Sequence, residues 1–301
     1  MQRLDVVTRS WAEVLIEAVV RATGYSAILF VALILFFLLR EGLPALAQVP
    51  LPELFSQRWY PIESHFGLLP LIGGSLLVTL GATLIAMPLG LGTAIFIAEI
   101  APRWAREVLK PLVEVLAGLP SVVLGFMGIL VLAPALRVDL NLPTGLTALA
   151  GSLLLAIMAI PTLVSVAEDA LDAVPRSYRD AALALGATRW QTIWRVTLPA
   201  ARNGVTAVML GEGRAAGETM TVMMVTGNAA RLPTGLGALL LPVRTLTATI
   251  AAEMGEVANG STHYHVLFVI GLVLFVLSLI FNLAAGAIVF QQRRRAERLL
   301  S

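Results

Sequence analysis

Two side chains of opposite charge lie one helical turn apart in Asn203–Gly227, a stretch that is apolar at both ends. They are Arg214 and Glu218, and an i, i+4 spacing places both on one face of a helix. An Arg near the middle of a membrane span costs about 2.5–3.5 kcal/mol on insertion scales, so it must face protein or water rather than lipid. Glu212 lies two residues before Arg214, about 200° around the helix, and falls on a different face.

This charged pair has two interpretations. One is a buried ion pair that only fixes helix packing, and the other, which we favour, is the polar lining of a path for an ion or solute. The guanidinium of Arg214 offers five donors, which suits a tetrahedral oxyanion. The carboxylate of Glu218 would repel a bare dianion but accept a hydrogen bond from a protonated one, such as phosphate. It could equally serve only to hold Arg214 in place when the path is empty.

The composition predicts that these residues are positioned by membrane-spanning helices. Hydrophobic residues make up 58% of the 301 residues and charged residues 13%, against about 25% charged in soluble domains. So few charged residues cannot cover a water-exposed surface of this size, which argues against a soluble, nucleic-acid-binding or disordered protein. About 20 apolar residues span a bilayer as a helix. Including the charged stretch, we predict an all-α polytopic membrane protein of six spans: Ala22–Leu39, Gly67–Ala98, Val115–Leu136, Leu140–Ala167, Asn203–Gly227 and Val266–Phe290.

The basic residues predict the orientation of these spans. Most of the 21 Lys and Arg residues lie in the N-terminus, the loops after the second and fourth spans, and the C-terminus. Cytoplasmic loops are enriched in Lys and Arg, so both termini are expected in the cytoplasm. That result requires Asn203–Gly227 to span the membrane. The predicted segments are a cytoplasmic amphipathic helix (1–21), the first span (22–40), a periplasmic loop (41–66), a core (67–290) and a basic cytoplasmic tail (291–301).

The periplasmic loop contains four prolines, Pro44, Pro50, Pro52 and Pro61. We therefore expect it to be irregular. Trp59 and Tyr60 within it are expected at the membrane interface, where aromatic side chains with a polar tip concentrate.

The stretch Pro175–Pro199 predicts two short helices on the cytoplasmic side. Pro175 is suited to the start of the first helix and Gly186 to its C-terminal stop, while Thr188 can cap the second. The first helix would present Ala181 and Ala182, and small side chains allow a partner protein to approach closely.

The pattern in this loop resembles the EAA loop of binding-protein-dependent ABC importer permeases. Asp180-Ala181-Ala182, Gly186 and Val196-Thr-Leu-Pro199 match that motif, with Asp180 in place of Glu and Val196 in place of Ile. The resemblance implies a MetI-like type I ABC importer permease fold. It also implies that Asp180, Ala181, Ala182 and Gly186 belong to a coupling helix that fits a cleft on an ATPase subunit.

Three further stretches resemble the permeases of Pst-type phosphate importers: Leu116–Phe126, Glu168–Ser177 and Gly213–Met220. The stretch Leu246–Glu256 is more similar to the C-type than to the A-type subunit. The resemblance implies that Arg214 and Glu218 match charged residues proposed for the phosphate path. The implied partners are a homologous A-type permease, two ATPase subunits and a periplasmic phosphate-binding protein, in a bacterial inner membrane and surrounded by lipid.

The sequence lacks the residues for chemistry of its own. The only Lys, Lys110, follows Leu109 and not Gly, so no nucleotide-binding P-loop can be drawn. There is no Cys, and the His spacing does not suggest a metal site. We therefore expect no catalytic residue, no metal and no cofactor on this chain, with ATP and Mg²⁺ on the partner ATPase and no nucleic-acid partner.

Other functions stay open on the sequence alone. The same architecture could carry another oxyanion or small solute. The chain could also act as a stand-alone ion-coupled carrier, or as a membrane scaffold in which Arg214 and Glu218 are purely structural.

Overall fold

The protein is built mainly from α-helices in the part that the structure, a computed structural model, describes: residues 11–211 and 217–300. Arg214 and Glu212 lie outside these residues. The helices are α1 (Trp11–Gln48), α2 (Leu51–Leu54), α3 (Leu69–Ile95), α4 (Arg103–Ala117), α5 (Ser121–Met127), α6 (Ala133–Asp139), α7 (Ala148–Asp172), α8 (Arg176–Ala184), α9 (Arg189–Thr192), α10 (Leu198–Gly211), α11 (Met220–Val225), α12 (Leu246–Glu253) and α13 (Thr262–Leu300).

Short irregular elements complete the described fold. Three π-helical turns are continuous with longer helices, at Phe96–Ile100, Gly128–Leu132 and Ile193–Thr197. Two strands, β1 (Trp59–Tyr60) and β2 (His65–Phe66), form an antiparallel hairpin around the 3₁₀ turn Pro61–Glu63, and a second 3₁₀ turn lies at Leu236–Leu240.

Five helical segments in the described residues are long and apolar enough to cross a membrane: Leu15–Gln48, Leu69–Ile100, Ser121–Asp139, Ala148–Asp172 and Thr262–Ala284. Each overlaps one of the predicted spans, which confirms a polytopic helical protein. The remaining predicted span is represented by α10 and α11, which flank residues 212–216 outside the described part. The count of six spans therefore stays a prediction.

The first helix differs from its predicted boundaries. α1 runs without a break from Trp11 to Gln48, with Pro44 inside it, whereas we expected a separate helix up to residue 21 and a loop from residue 41. Its final turns are held by packing on α13, since a Cβ at Gly42 would lie 3.5 Å from the main-chain carbon of Phe268. Much of its apolar surface is exposed, as expected for a helix that faces lipid.

The segment predicted to be an irregular loop, 41–66, is instead largely ordered into the end of α1, α2 and the β-hairpin. Trp59 is only 5% exposed, so its ring packs inside the protein, and its predicted place at the depth of the membrane interface stays a prediction. Its indole N–H donates to Glu253 Oε1 at 3.2 Å, and its ring packs edge-on against Phe66. A buried indole needs such a hydrogen-bond partner, and here the partner lies on a helix distant in sequence.

The centre of the described bundle is the packing of α3 along α7, with α10 against α7 and α13, and α1 against α13. The α3–α7 contact is close because small residues face each other. A Cβ at Gly81 would lie 2.5 Å from Ser152 Oγ, and the Ser152 hydroxyl donates to the Val78 carbonyl at 3.2 Å. Small residues let helix backbones approach where lipid supplies no hydrophobic driving force.

A substitution at Gly74 tests this close approach. A Cβ at Gly74 would overlap the Arg244 carbonyl oxygen, a main-chain atom that cannot turn aside. We expect Gly74→Ala to lower the free energy of unfolding by about 1–3 kcal/mol, as overpacking does. The measurement is the apparent thermal midpoint of the purified protein in detergent at a fixed scan rate.

The matched control is Gly92→Ala in the same helix, since a Cβ at Gly92 meets nothing within 4 Å. That variant should keep or raise the midpoint, because Ala has the higher helix propensity. Equal midpoints for the two variants would contradict the predicted overlap at Gly74.

Candidate functional site

Of the predicted charged pair, Arg214 and Glu218, only Glu218 lies in the part of the chain that the structure describes. Glu218 lies half-buried just before α11. The Glu218 carbonyl oxygen accepts a hydrogen bond from Thr247 Oγ1 at 3.0 Å, which joins the start of α11 to α12. Within residues 11–211 and 217–300, no side chain forms a hydrogen bond or ion pair with the Glu218 carboxylate. The pairing of Glu218 with Arg214 therefore stays a prediction.

Hydroxyl groups line a small cleft next to Glu218. Ser75 and Thr79 from α3 contribute two of them, and Thr245 and Thr247 at the start of α12 contribute the others; Val78, Leu155 and Val222 form the apolar walls. Hydroxyls both donate and accept hydrogen bonds, and the cleft they line encloses about 10 Å³, roughly the space that one water molecule needs. These four residues were not predicted as site residues. The available signal was Ser and Thr within apolar spans, but nothing in the sequence pairs α3 with α12.

Three of the four hydroxyls also hold the structure together. Ser75 Oγ accepts from the Leu246 N–H at 2.9 Å, and Thr245 caps α12 by accepting from the Ala248 N–H at 3.2 Å. Thr247 makes the bond to Glu218 already described. The Thr79 hydroxyl has no hydrogen-bond partner in the described part of the chain.

A cluster of paired side chains closes the end of the bundle that carries the β-hairpin, here called the hairpin end. Glu253 accepts from Trp59 Nε1, forms an ion pair with Arg244 at 2.7 Å, and shares a hydrogen bond with His263 Nε2 at 2.8 Å. The cluster thus joins the hairpin to α12 and α13. The nearby Arg58–Glu63 ion pair, also 2.7 Å, is exposed on both sides.

The two short helices predicted for Pro175–Pro199 are confirmed, and they lie at the opposite end of the bundle, here called the α8 end. α8 begins after Pro175, and the chain turns at Gly186 with φ +84°. Thr188 caps α9 in a capping box with Gln191, accepting from the Gln191 N–H at 3.2 Å. Asp180 and Ala181 are exposed and Ala182 is half-buried.

Around this turn the protein exposes large apolar side chains: Tyr178, Leu183, Leu185, Trp190 and Trp194. Leu185 is 90% exposed, and the two Trp rings contact each other edge-to-face at 5.6 Å between centroids. Grouped apolar side chains of this size typically mark a protein interaction surface.

Behind this surface, ion pairs join four helices at the α8 end. Arg179 on α8 pairs with Glu99 at 2.7 Å, and Lys110 on α4 pairs with Glu168 of α7 at 3.4 Å. Burial of Lys110 disfavours its charged form. The nearby carboxylates, Glu168 first among them, more than offset this and hold the pKa of Lys110 above its ordinary value. In the described part of the chain, no three His, Asp or Glu side chains come together as metal ligands would.

Comparison with known proteins gives one family. A family model described as "Binding-protein-dependent transport system inner membrane component" matches residues 86–294. A Bacillus subtilis protein named "Probable ABC transporter permease protein YqgH" is 45% identical over 237 residues, covering 78% of this chain and 76% of the relative. A Mesorhizobium japonicum protein named "Phosphate transport system permease protein PstC" is 36% identical over 298 residues, covering 91% and 89%.

Solved structures show the same fold. A chain of a bacterial alginate ABC transporter aligns with a TM-score of 0.62 at 16% identity, covering 92% of this chain and 96% of that one. A chain of the MetNI methionine ABC transporter, in an inward-facing conformation, aligns with a TM-score of 0.58 at 20% identity, covering 78% and 99%. At these identities the likeness concerns the fold alone.

The left-handed turn at Gly186 gives a test of the coupling loop. Its Cβ would meet nothing within 4 Å, so the backbone conformation alone opposes a side chain. We expect Gly186→Ala to destabilise the turn by about 1–2 kcal/mol. The Ala187 amide, which donates to the Ala182 carbonyl at 3.1 Å, should then exchange with solvent about 5- to 30-fold faster in hydrogen-exchange mass spectrometry.

Gly186→Asn is the control, because Asn tolerates the left-handed region better than Ala. It should show the smaller acceleration. Equal exchange in Gly186→Ala and the unaltered protein would contradict the strain argument.

Proposed function

This chain belongs to the family of binding-protein-dependent transport system inner membrane components, and from that premise we propose that it is the permease subunit of an ATP-driven phosphate importer. It is a multi-pass inner-membrane protein and not itself an enzyme. In the proposed importer it forms half of the pathway that carries inorganic phosphate into the cytoplasm. The substrate is inferred from relatives named as phosphate transport permeases, which align over most of the chain.

The observation that carries the proposal is the exposed helix pair α8–α9. Its motif residues Asp180, Ala181 and Ala182 lie beside the turn at Gly186, and large apolar side chains surround them without a partner in the described chain. This arrangement suits docking into a groove of an ATPase subunit. The further partners we propose are a homologous A-type permease, a second ATPase copy and a periplasmic phosphate-binding protein, with ATP and Mg²⁺ held by the ATPases.

For the pathway we propose Arg214, Glu218 and the hydroxyl-lined cleft. The Arg214 guanidinium would neutralise part of the phosphate charge and donate to its oxygens. The Glu218 carboxylate would accept a hydrogen bond from the P–OH group that phosphate still carries at neutral pH, and it would repel a dianion that has no such proton. Thr79, whose hydroxyl is free of other hydrogen bonds in the described structure, would supply a neutral contact.

In the proposed transport cycle, closure of the ATPase subunits pushes on α8. The core helices α3 and α7 then tilt so that the pathway opens alternately to each side of the membrane. With both termini in the cytoplasm, as the distribution of basic residues predicts, α8 faces the ATPases and the hairpin end faces the phosphate-binding protein.

Uptake of radiolabelled phosphate tests this function in cells that lack their own importer and express the whole complex. We expect Arg214→Ala to reduce uptake at least tenfold with normal membrane levels of the complex, because the pathway loses its cation. Arg214→Lys should retain part of the uptake, since it keeps the charge but not the forked donors.

Arg21→Ala serves as the control, because it removes a surface Arg–Glu pair within α1, away from the proposed pathway and from both proposed docking surfaces. It should leave uptake unchanged. Full uptake by Arg214→Ala in a normally assembled complex would show that Arg214 and Glu218 are structural. If a binding protein loaded with another solute, but not with phosphate, stimulates the ATPase, the proposal that phosphate is the substrate is wrong. If uptake proceeds without any ATPase, the proposal of an ATP-driven importer is wrong.

A further inference from the structure

The Arg179 side chain connects three elements at the α8 end. Its Nε and one terminal nitrogen both donate to Glu99 Oε1, at 3.0 and 2.7 Å. Its terminal nitrogens also donate to the main-chain carbonyls of Val174, at 2.7 Å, and Leu171, at 2.9 Å. Glu99 lies on the π-turn that continues α3, and the two carbonyls lie at the end of α7 and just beyond it.

These bonds are suited to transmit force. Arg179 is 18% exposed and Glu99 is 10% exposed, so solvent screens their pairing less than that of a surface pair. The guanidinium also lies where the final carbonyls of α7 carry partial negative charge, which favours a cation there.

The π-turn itself is held from a second side. Arg106 on α4 donates through Nε to the Ile97 carbonyl at 2.9 Å and through a terminal nitrogen to the Ala98 carbonyl. Lys110 on the same helix pairs with Glu168 of α7. The ends of α3, α4 and α7 are therefore bound to one another, and Arg179 is the side chain that adds α8 to them.

We propose that Arg179 is the positioning residue that makes the coupling helix α8 move as one body with α3 and α7, so that displacement of α8 is passed to the helices lining the pathway. This inference rests on the proposed function, in which closure of the ATPase subunits supplies the force on α8. Arg179 touches neither substrate nor nucleotide in this scheme. Its removal should uncouple ATP hydrolysis from transport rather than abolish either binding event.

The experiment uses the complete complex in proteoliposomes and measures phosphate uptake and ATP hydrolysis together. We expect Arg179→Ala to lower phosphate transported per ATP hydrolysed at least tenfold, while ATPase co-purification and hydrolysis rate stay within twofold. Arg179→Lys should fall in between, because one ammonium cannot reach all three acceptors. Glu99→Gln should also lower the ratio, since the amide oxygen accepts hydrogen bonds without the charge, and it leaves α8 unaltered.

Arg21→Ala is the matched control, because it removes a surface Arg–Glu pair that lies within the single helix α1, and it should keep the unaltered ratio. An unchanged ratio in Arg179→Ala would overturn the proposal. So would loss of the ATPase subunits from Arg179→Ala together with a normal ratio in Glu99→Gln, because Arg179 would then serve assembly alone.

A second readout needs no phosphate, so it separates this inference from the proposed function. The chain has no Cys, which allows spin labels at Gly92→Cys on α3 and Ser177→Cys on α8, both exposed positions. In the complex their distance should stay constant between the nucleotide-free and ATP-bound states, and should change or broaden when Arg179→Ala is added. A distance that already changes without that substitution, or one that Arg179→Ala does not affect, would refute the inference whatever the transported solute.

Discussion

Close packing between α3 and α7 is the interaction on which the described structure depends. Gly90 lacks the Cβ that would lie 2.6 Å from Leu163 Cδ2, and Ala86 and Ala156 are fully buried in the same core. In a bilayer, helix association relies on such contacts and on hydrogen bonds like that of Ser152, because lipid tails are as apolar as the helices. The α3–α7 pair therefore forms a stiff centre to which both ends of the protein are attached.

Each end of α3 connects to a different functional element. At the hairpin end, Ser75 binds the first amide of α12 next to Glu218 and the hydroxyl-lined cleft. At the α8 end, Glu99 binds Arg179 of the coupling helix. One helix thus spans the distance between the proposed substrate path and the proposed ATPase docking surface, so a movement at one could be passed along α3 to the other.

The sequence predicted what is determined locally. Pro175, Gly186 and Thr188 specified the two short helices of the coupling loop, because helix start, stop and cap depend on neighbouring residues. The buried position of Trp59 could not be predicted, because its hydrogen-bond partner Glu253 lies 194 residues away in the sequence. The cleft is a similar case, since Ser75 and Thr245 meet only after α3 and α12 pack. Pro44 suggested a loop, but packing on α13 keeps the chain helical there.

Two of the three acceptors of the Arg179 guanidinium belong to the main chain. The carbonyls of Leu171 and Val174 are present whatever side chains those positions carry, so a substitution at either position does not remove the acceptor itself. The network therefore requires specific side chains at only two positions, the guanidinium of Arg179 and the carboxylate of Glu99, together with the helix geometry that presents the two carbonyls. Four hydrogen bonds between α8, α7 and the end of α3 thus depend on side-chain identity at only two positions.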